Sequence, residues 1–128
     1  MRFFIETKPS TNAFLDKSGE VAVCIDWVDK QAQIGSITID GYECTRIDFR
    51  PTMLNTDNVI EQFVREKYSQ SEEFALINSY NASISGIAKD ANKEAEYLDF
   101  LSWRNNMKEQ VKAAISSFDS ATIPTTQE

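Results

Sequence analysis

Over the first fifty residues, apolar side chains come in short alternating runs broken by turn residues; beyond Pro51 they recur at helical spacing. That switch of period predicts strands first and helices second, an α+β chain. Arg2 to Glu6 and Asn12 to Leu15 read as short strands, the first limited by Pro9. Asp16-Lys17-Ser18-Gly19 is a turn into a third strand, Val21 to Val28, where Val21, Val23 and Ile25 share one face and Trp27 continues the alternation. Asp40-Gly41 predicts a two-residue hairpin, because this pair tolerates the positive backbone dihedrals of a type I′ turn. Ile39 would then face Tyr42 and Ile37 would face Cys44 on one side of the sheet. Thr38 and Glu43 would occupy the other, open to water or a partner.

From Asn55 onward three helices are expected. Asp57 caps the first, with Val59, Ile60, Phe63 and Val64 on one side and Tyr68 a turn beyond. Ser69 and Glu72 fit a capping box for the second, whose apolar side is Phe74, Ile77, Tyr80, Ile84 and Ile87. The third, about Asn92 to Phe118, carries Leu98, Leu101, Val111 and Ile115 with Phe100, Trp103, Met107 and Ala114. An apolar face that wide suits a helix touching two neighbours or an oligomer seam. Asn105 and Lys108 interrupt it, which argues against an extended coiled coil. The expected architecture is one domain over 1–118: an N-terminal antiparallel β-sheet (strand-rich 1–50) packed by about three helices (55–118). Residues 119–128 read as a flexible polar tail, with Ile123 their one large aliphatic side chain.

Composition narrows the partners. A chain of 128 residues holds one modest core. Twenty acidic and thirteen basic residues, the latter scattered, give a net charge of −7 that repels nucleic acid and an anionic membrane surface. No apolar run is long enough to span a bilayer, and the first residues lack an export-signal pattern, so the cytoplasm is the expected location. In that reducing compartment Cys24 and Cys44 read as small buried hydrophobes rather than a bridge.

The candidate chemistry is sparse. Histidine is absent, so Ser-His-Asp, Cys-His, HExxH and histidine-containing zinc arrangements cannot be assembled from this chain. Gly19, Gly35, Gly41 and Gly86 are dispersed and form no phosphate loop or dinucleotide fingerprint. Asp26 and Asp48 are the one carboxylate pair the strands might bring together, although strand-edge and turn acids ordinarily face solvent. No cofactor, metal ligand set or catalytic group is expected, and the chain reads as a non-enzyme. Aromatic residues remain as binding candidates. On the third helix Tyr97, Phe100, Trp103 and Met107 are the expected protein-binding anchors.

The run from Val64 through Asn78 (VREKYSQSEEFALIN), then Tyr80-Asn81, Glu96 through Arg104 (EYLDFLSWR) and Met107 through Val111 (MKEQV) resembles small tail-fibre assembly chaperones of phages and prophages. It covers somewhat under half the chain, within residues 64–111. The resemblance implies a non-catalytic chaperone that keeps a tail-fibre or receptor-binding protein competent for assembly, in the host cytoplasm if phage-encoded. The implied partner is a protein client, with homo-oligomerisation also allowed. The alternatives are an acidic phage-encoded inhibitor or regulator of a host protein, and a structural virion component.

Overall fold

The computed structural model describes the backbone of residues 1–122 and the side chains of residues 1–118. Strands β1 (Arg2–Ile5), β2 (Ala13–Leu15), β3 (Val21–Ile34) and β4 (Ile37–Phe49) form one antiparallel sheet in the order β1-β4-β3-β2. A single 3₁₀ turn at Pro51–Met53 leads to α1 (Thr56–Lys67), α2 (Gln70–Ile84) and α3 (Ala91–Thr122). The chain is α+β, as the change of period predicts. Helix α3 continues past Phe118 into the expected tail; residues 123–128 lie outside the described residues.

The hairpin turn is not at Asp40-Gly41. It is at Gly35-Ser36, with Gly35 at φ 64°, and β3 and β4 pair from Ile34↔Ile37 to Val21↔Phe49. Both dipeptides suit a two-residue turn; the earlier one wins because it lets the whole of β3 pair with β4. Ile39 therefore faces Ala32, Tyr42 faces Asp29, and Cys44 lies beside Phe3 of β1. Gly41 is a strand residue with a different reason to lack a side chain. A Cβ there would come within 2.5 Å of Phe4 Cζ and 2.7 Å of the Ile5 carbonyl oxygen, so the glycine seats the end of β1.

Val21, Val23 and Ile25 meet the helices, joined by Phe49, by Val59, Ile60, Phe63 and Val64 of α1, and by Phe100, Met107, Val111, Ala114 and Ile115 of α3. The other face at this level is closed as well, in keeping with Cys24 and Cys44 as small buried residues. Ala22, Cys24 and Cys44 are buried there, and the Arg46 guanidinium lies over the rings of Phe3 at 4.6 Å and Phe14 at 5.5 Å. Asp48 at 2.7 Å and Asp16 at 3.0 Å hold that guanidinium in place. Both cysteines are free thiols, and burial pushes both thiols up, Cys24 the more strongly.

The helix joints are side-chain built. Asn55, rather than Asp57, caps α1 by accepting from the Asn58 N–H at 2.9 Å; Asp57 falls in the first turn, where it favours the helix dipole. Arg65 binds Glu61 and Glu73 and donates to the Tyr68 carbonyl, fixing the bend from α1 to α2. The Ser69–Glu72 capping box is present. Buried Ser83 closes the turn from α2 to α3, accepting from the Asp90 N–H at 2.8 Å and donating to Glu94.

Candidate protein-binding surface

Where β3 leaves the core it carries a β-bulge: Ile25 pairs with Thr45 and Val28 with Glu43, so Asp26 and Trp27 together oppose Cys44. Asp26 sits at φ 57°, the one non-glycine among the described residues with a positive φ. Its strain is offset by α3. Gln110 Oε1 accepts from the Asp26 N–H at 2.8 Å, Gln110 Nε2 donates to Asp26 Oδ1 at 2.8 Å, and Trp103 Nε1 donates to Oδ2 at 3.3 Å. Trp27 diverges to Asn12, to which its indole N–H donates at 2.9 Å. Asp26 and Asp48 are thus not brought together: one is held by α3, the other by Arg46. A groove of about 370 Å³ lies beside the bulge, with Ile25, Phe63 and Trp103 as apolar wall and Asp26, Glu66 and Lys67 as polar lining. Among the described residues no three His, Cys, Asp or Glu side chains are grouped to hold a metal ion.

The four expected anchors on α3 face inward. Phe100 and Met107 are fully buried in the core, out of reach of a partner while the fold is intact. Tyr97 and Trp103 are half-buried and belong to a chain of rings: Tyr80 to Tyr97 at 4.6 Å, Tyr97 to Phe100 at 6.3 Å, Phe100 to Tyr68 at 4.9 Å and Tyr68 to Trp103 at 5.6 Å. The Lys67 ammonium covers the outer side of Trp103 at 4.6 Å. These aromatics join the ends of α1 and α2 to α3 and hold the helices together.

The uncovered apolar residues of the helices and of the α2–α3 turn lie elsewhere. Phe74 is 56% exposed, Ile84 57%, Ile87 84%, Leu98 54% and Leu101 39%. The Tyr80–Tyr97 and Ser83–Glu94 contacts make α2 and α3 an antiparallel pair. Glu72, Ala75 and Ser79 of α2 line one side of that pair with Lys93 and Glu96 of α3. By helical spacing Phe74, Ile77 and Ile84 lie on the opposite side, together with Leu98 and Leu101. Asn81, Ser102 and Asn105 border this strip by helical spacing, and so do Glu73, Glu94 and Arg104, so the apolar surface there has a mixed polar and charged rim.

In the sequence Leu98 and Leu101 belong to the same broad apolar face of α3 as the core residues, a face that suits either packed neighbours or an oligomer seam. One signal separates them: Phe100, Met107, Val111, Ala114 and Phe118 continue at helical spacing to the end of the described side chains, whereas Leu98 and Leu101 stop at Asn105, beside α2 alone. Comparison with models of protein families, with curated proteins and with solved structures gives no match.

Proposed function

We propose that this is a non-catalytic binding protein whose α2–α3 strip takes up an apolar segment of a protein client. The observation that carries the reading is the strip itself. α2 buries one residue, Ser83, and leaves Phe74 and Ile84 more than half exposed. An apolar surface with a polar rim is the usual form of a protein-docking site, since covering its centre gains hydrophobic free energy while the rim stays in contact with water. Two features favour a non-catalytic role: the chain has no histidine, and the Asp26 carboxylate is fully occupied in bracing a bulge. Among the described residues no helix is long and apolar enough to cross a membrane, which suits a client met in water.

The resemblance of residues 64–111 to tail-fibre assembly chaperones supplies the finer reading, a tail-fibre or receptor-binding protein as client. It also agrees with the placement of the strip, which lies wholly inside that stretch. The test is co-expression of the chain with a tail fibre encoded beside it. Soluble, trimeric fibre should appear with the wild-type chain and be lost with the double variant Leu98→Ser, Leu101→Ser, whose own fold is checked by circular dichroism. Equal fibre yield with that variant removes the strip from the mechanism. Stoichiometric retention of the chain in purified particles would make it a virion component instead.

A further inference from the structure

The β3–β4 hairpin is longer than the sheet around it. β2 pairs with β3 only at Val21–Val23, and β1 pairs with β4 only from Tyr42 to Thr45. Beyond the bulge, Val28–Ile34 and Ile37–Gly41 therefore form a two-stranded arm with no strand beside it among the described residues. Alternation makes the arm two-faced. Ala32 opposite Ile39 and Ile34 opposite Ile37 fall on one face, and the tip residues Ile34 and Ile37 are 63% and 62% exposed. Gln31 opposite Asp40 and Gln33 opposite Thr38 fall on the other, each pair joined by a side-chain hydrogen bond of 2.9 and 2.8 Å.

The outer edge of β4 is open for pairing. In a two-residue hairpin the residues flanking the turn exchange both backbone hydrogen bonds, and such pairs recur at every second position. Ile37, Ile39 and Gly41 are accordingly bonded to β3, while the N–H and C=O groups of Thr38 and Asp40 point outward. This edge continues the line along which β1 already pairs, from Ile5↔Tyr42. Residues Ile37 to Gly41 carry no proline, no lysine and no bulge, and Asp40 is their one charged side chain. Where β1 ends, a concavity of about 440 Å³ is lined by Glu6, Asp29 and Asp40 with Tyr42, and Lys30 is its single basic member.

From this juxtaposition we infer that the arm binds an extended partner segment in which apolar and basic residues alternate, added as a strand to the free edge of β4. Strand addition satisfies the outward groups of Thr38 and Asp40. Because successive side chains of the incoming strand point to opposite faces, one set packs on Ile37 and Ile39 while the other meets the carboxylates of Asp40, Asp29 and Glu6. An arm this narrow offers far less than the roughly 800 Å² per partner of a standard protein interface, which favours a peptide segment over a second copy of the chain. The site is separate from the α2–α3 strip, and the two stand or fall independently.

The probe is an acetylated, amidated heptapeptide of alternating lysine and valine, titrated into the isotope-labelled full chain and followed by amide NMR and hydrogen exchange. Saturable binding with new protection at the Thr38 and Asp40 amides is expected. A peptide of the same composition with its lysines and valines in separate blocks, and one with glutamate for lysine, should bind at least about tenfold more weakly. Thr38→Pro removes an outward N–H without touching the bonds to β3 and should weaken binding by a similar factor; should that variant misfold, Asp40→Lys tests the charge on the same edge. Equal binding by the block peptide, protection located elsewhere, undiminished binding to a folded edge variant, or no saturable binding overturns the inference. Concentration-dependent protection of the same amides without peptide would assign the edge to a second copy and overturn it too. Leu98→Ser, Leu101→Ser should bind the peptide as wild type does, which keeps this result distinct from the client experiment.

Discussion

Asp26 concentrates several functions in one residue: a left-handed backbone, a bulge, and the hydrogen bonds that attach β3 to α3. Gln110→Ala removes the acceptor of its N–H and the donor to its carboxylate together. Losing such a pair should cost about 1–3 kcal/mol in urea denaturation. At position 26 itself, Asp26→Gly and Asp26→Ala lose the same carboxylate, but only glycine adopts positive φ freely. The alanine variant should be less stable by about 1 kcal/mol, and equal stabilities would mean the backbone there is unstrained. Gly41→Ala forces a methyl group against Phe4 and Ile5, for an expected loss of about 1–3 kcal/mol. None of this was legible beforehand. The glycine had been read as a turn because Asp-Gly is a strong local signal, and its actual cause is a phenylalanine thirty-seven residues earlier. Asp26 carries no local mark of a bulge, since the bulge arises from fitting β3 to β4 and to α3.

At the scale of elements, local chemistry was the more reliable guide. Ser69 and Glu72 announce the start of α2, and the box is there; Ser69→Ala should cost about 1 kcal/mol. Glu72 also gives the protein an acid sensitivity of known sign. The N–H of Ser69 and then its side chain hold the Glu72 carboxyl below its ordinary value of 4.5. The stability this confers is complete above that value and is lost as pH falls through the lower folded-state value. Glu72→Gln can keep the capping geometry while removing the titration, so urea midpoints measured from about pH 6 down to pH 3 should fall less steeply for the variant. An unchanged slope would remove Glu72 from the acid limb. The apolar stripe of α2 was visible in the sequence, but which side of the pair it would share with Leu98 and Leu101, and that none of the described elements would cover it, depends on how α2 lies against α3. A pattern of apolar positions states that burial is favourable and leaves open whether the covering surface belongs to the same chain.

For the whole molecule, the division into a braced body and two open surfaces predicts separable behaviour. Phe74→Ser lies on the strip and away from the core, so its stability should stay within roughly 0.5 kcal/mol of wild type while client binding falls. Trp103→Ala should do the reverse, lowering stability through the lost Asp26 bond and ring contacts whatever the client does. The two cysteines should resist iodoacetamide in the native protein and react fully in urea, because burial keeps both as thiols. The organisation of strands before helices was readable from periodicity alone; the inward turn of Phe100, Trp103 and Met107 was not, since an aromatic suited to an interface is equally suited to a core.

Helix α3 packs on β2, β3, α1 and α2, and Ile115 shares a core with Ala13. During synthesis the first sixty-odd residues accordingly emerge with one side of Val21, Val23 and Ile25 still waiting for α3. Such long-range closure slows folding relative to a helical bundle. In a nascent chain the apolar side of these strands therefore stays without its α3 cover until translation has passed Ile115.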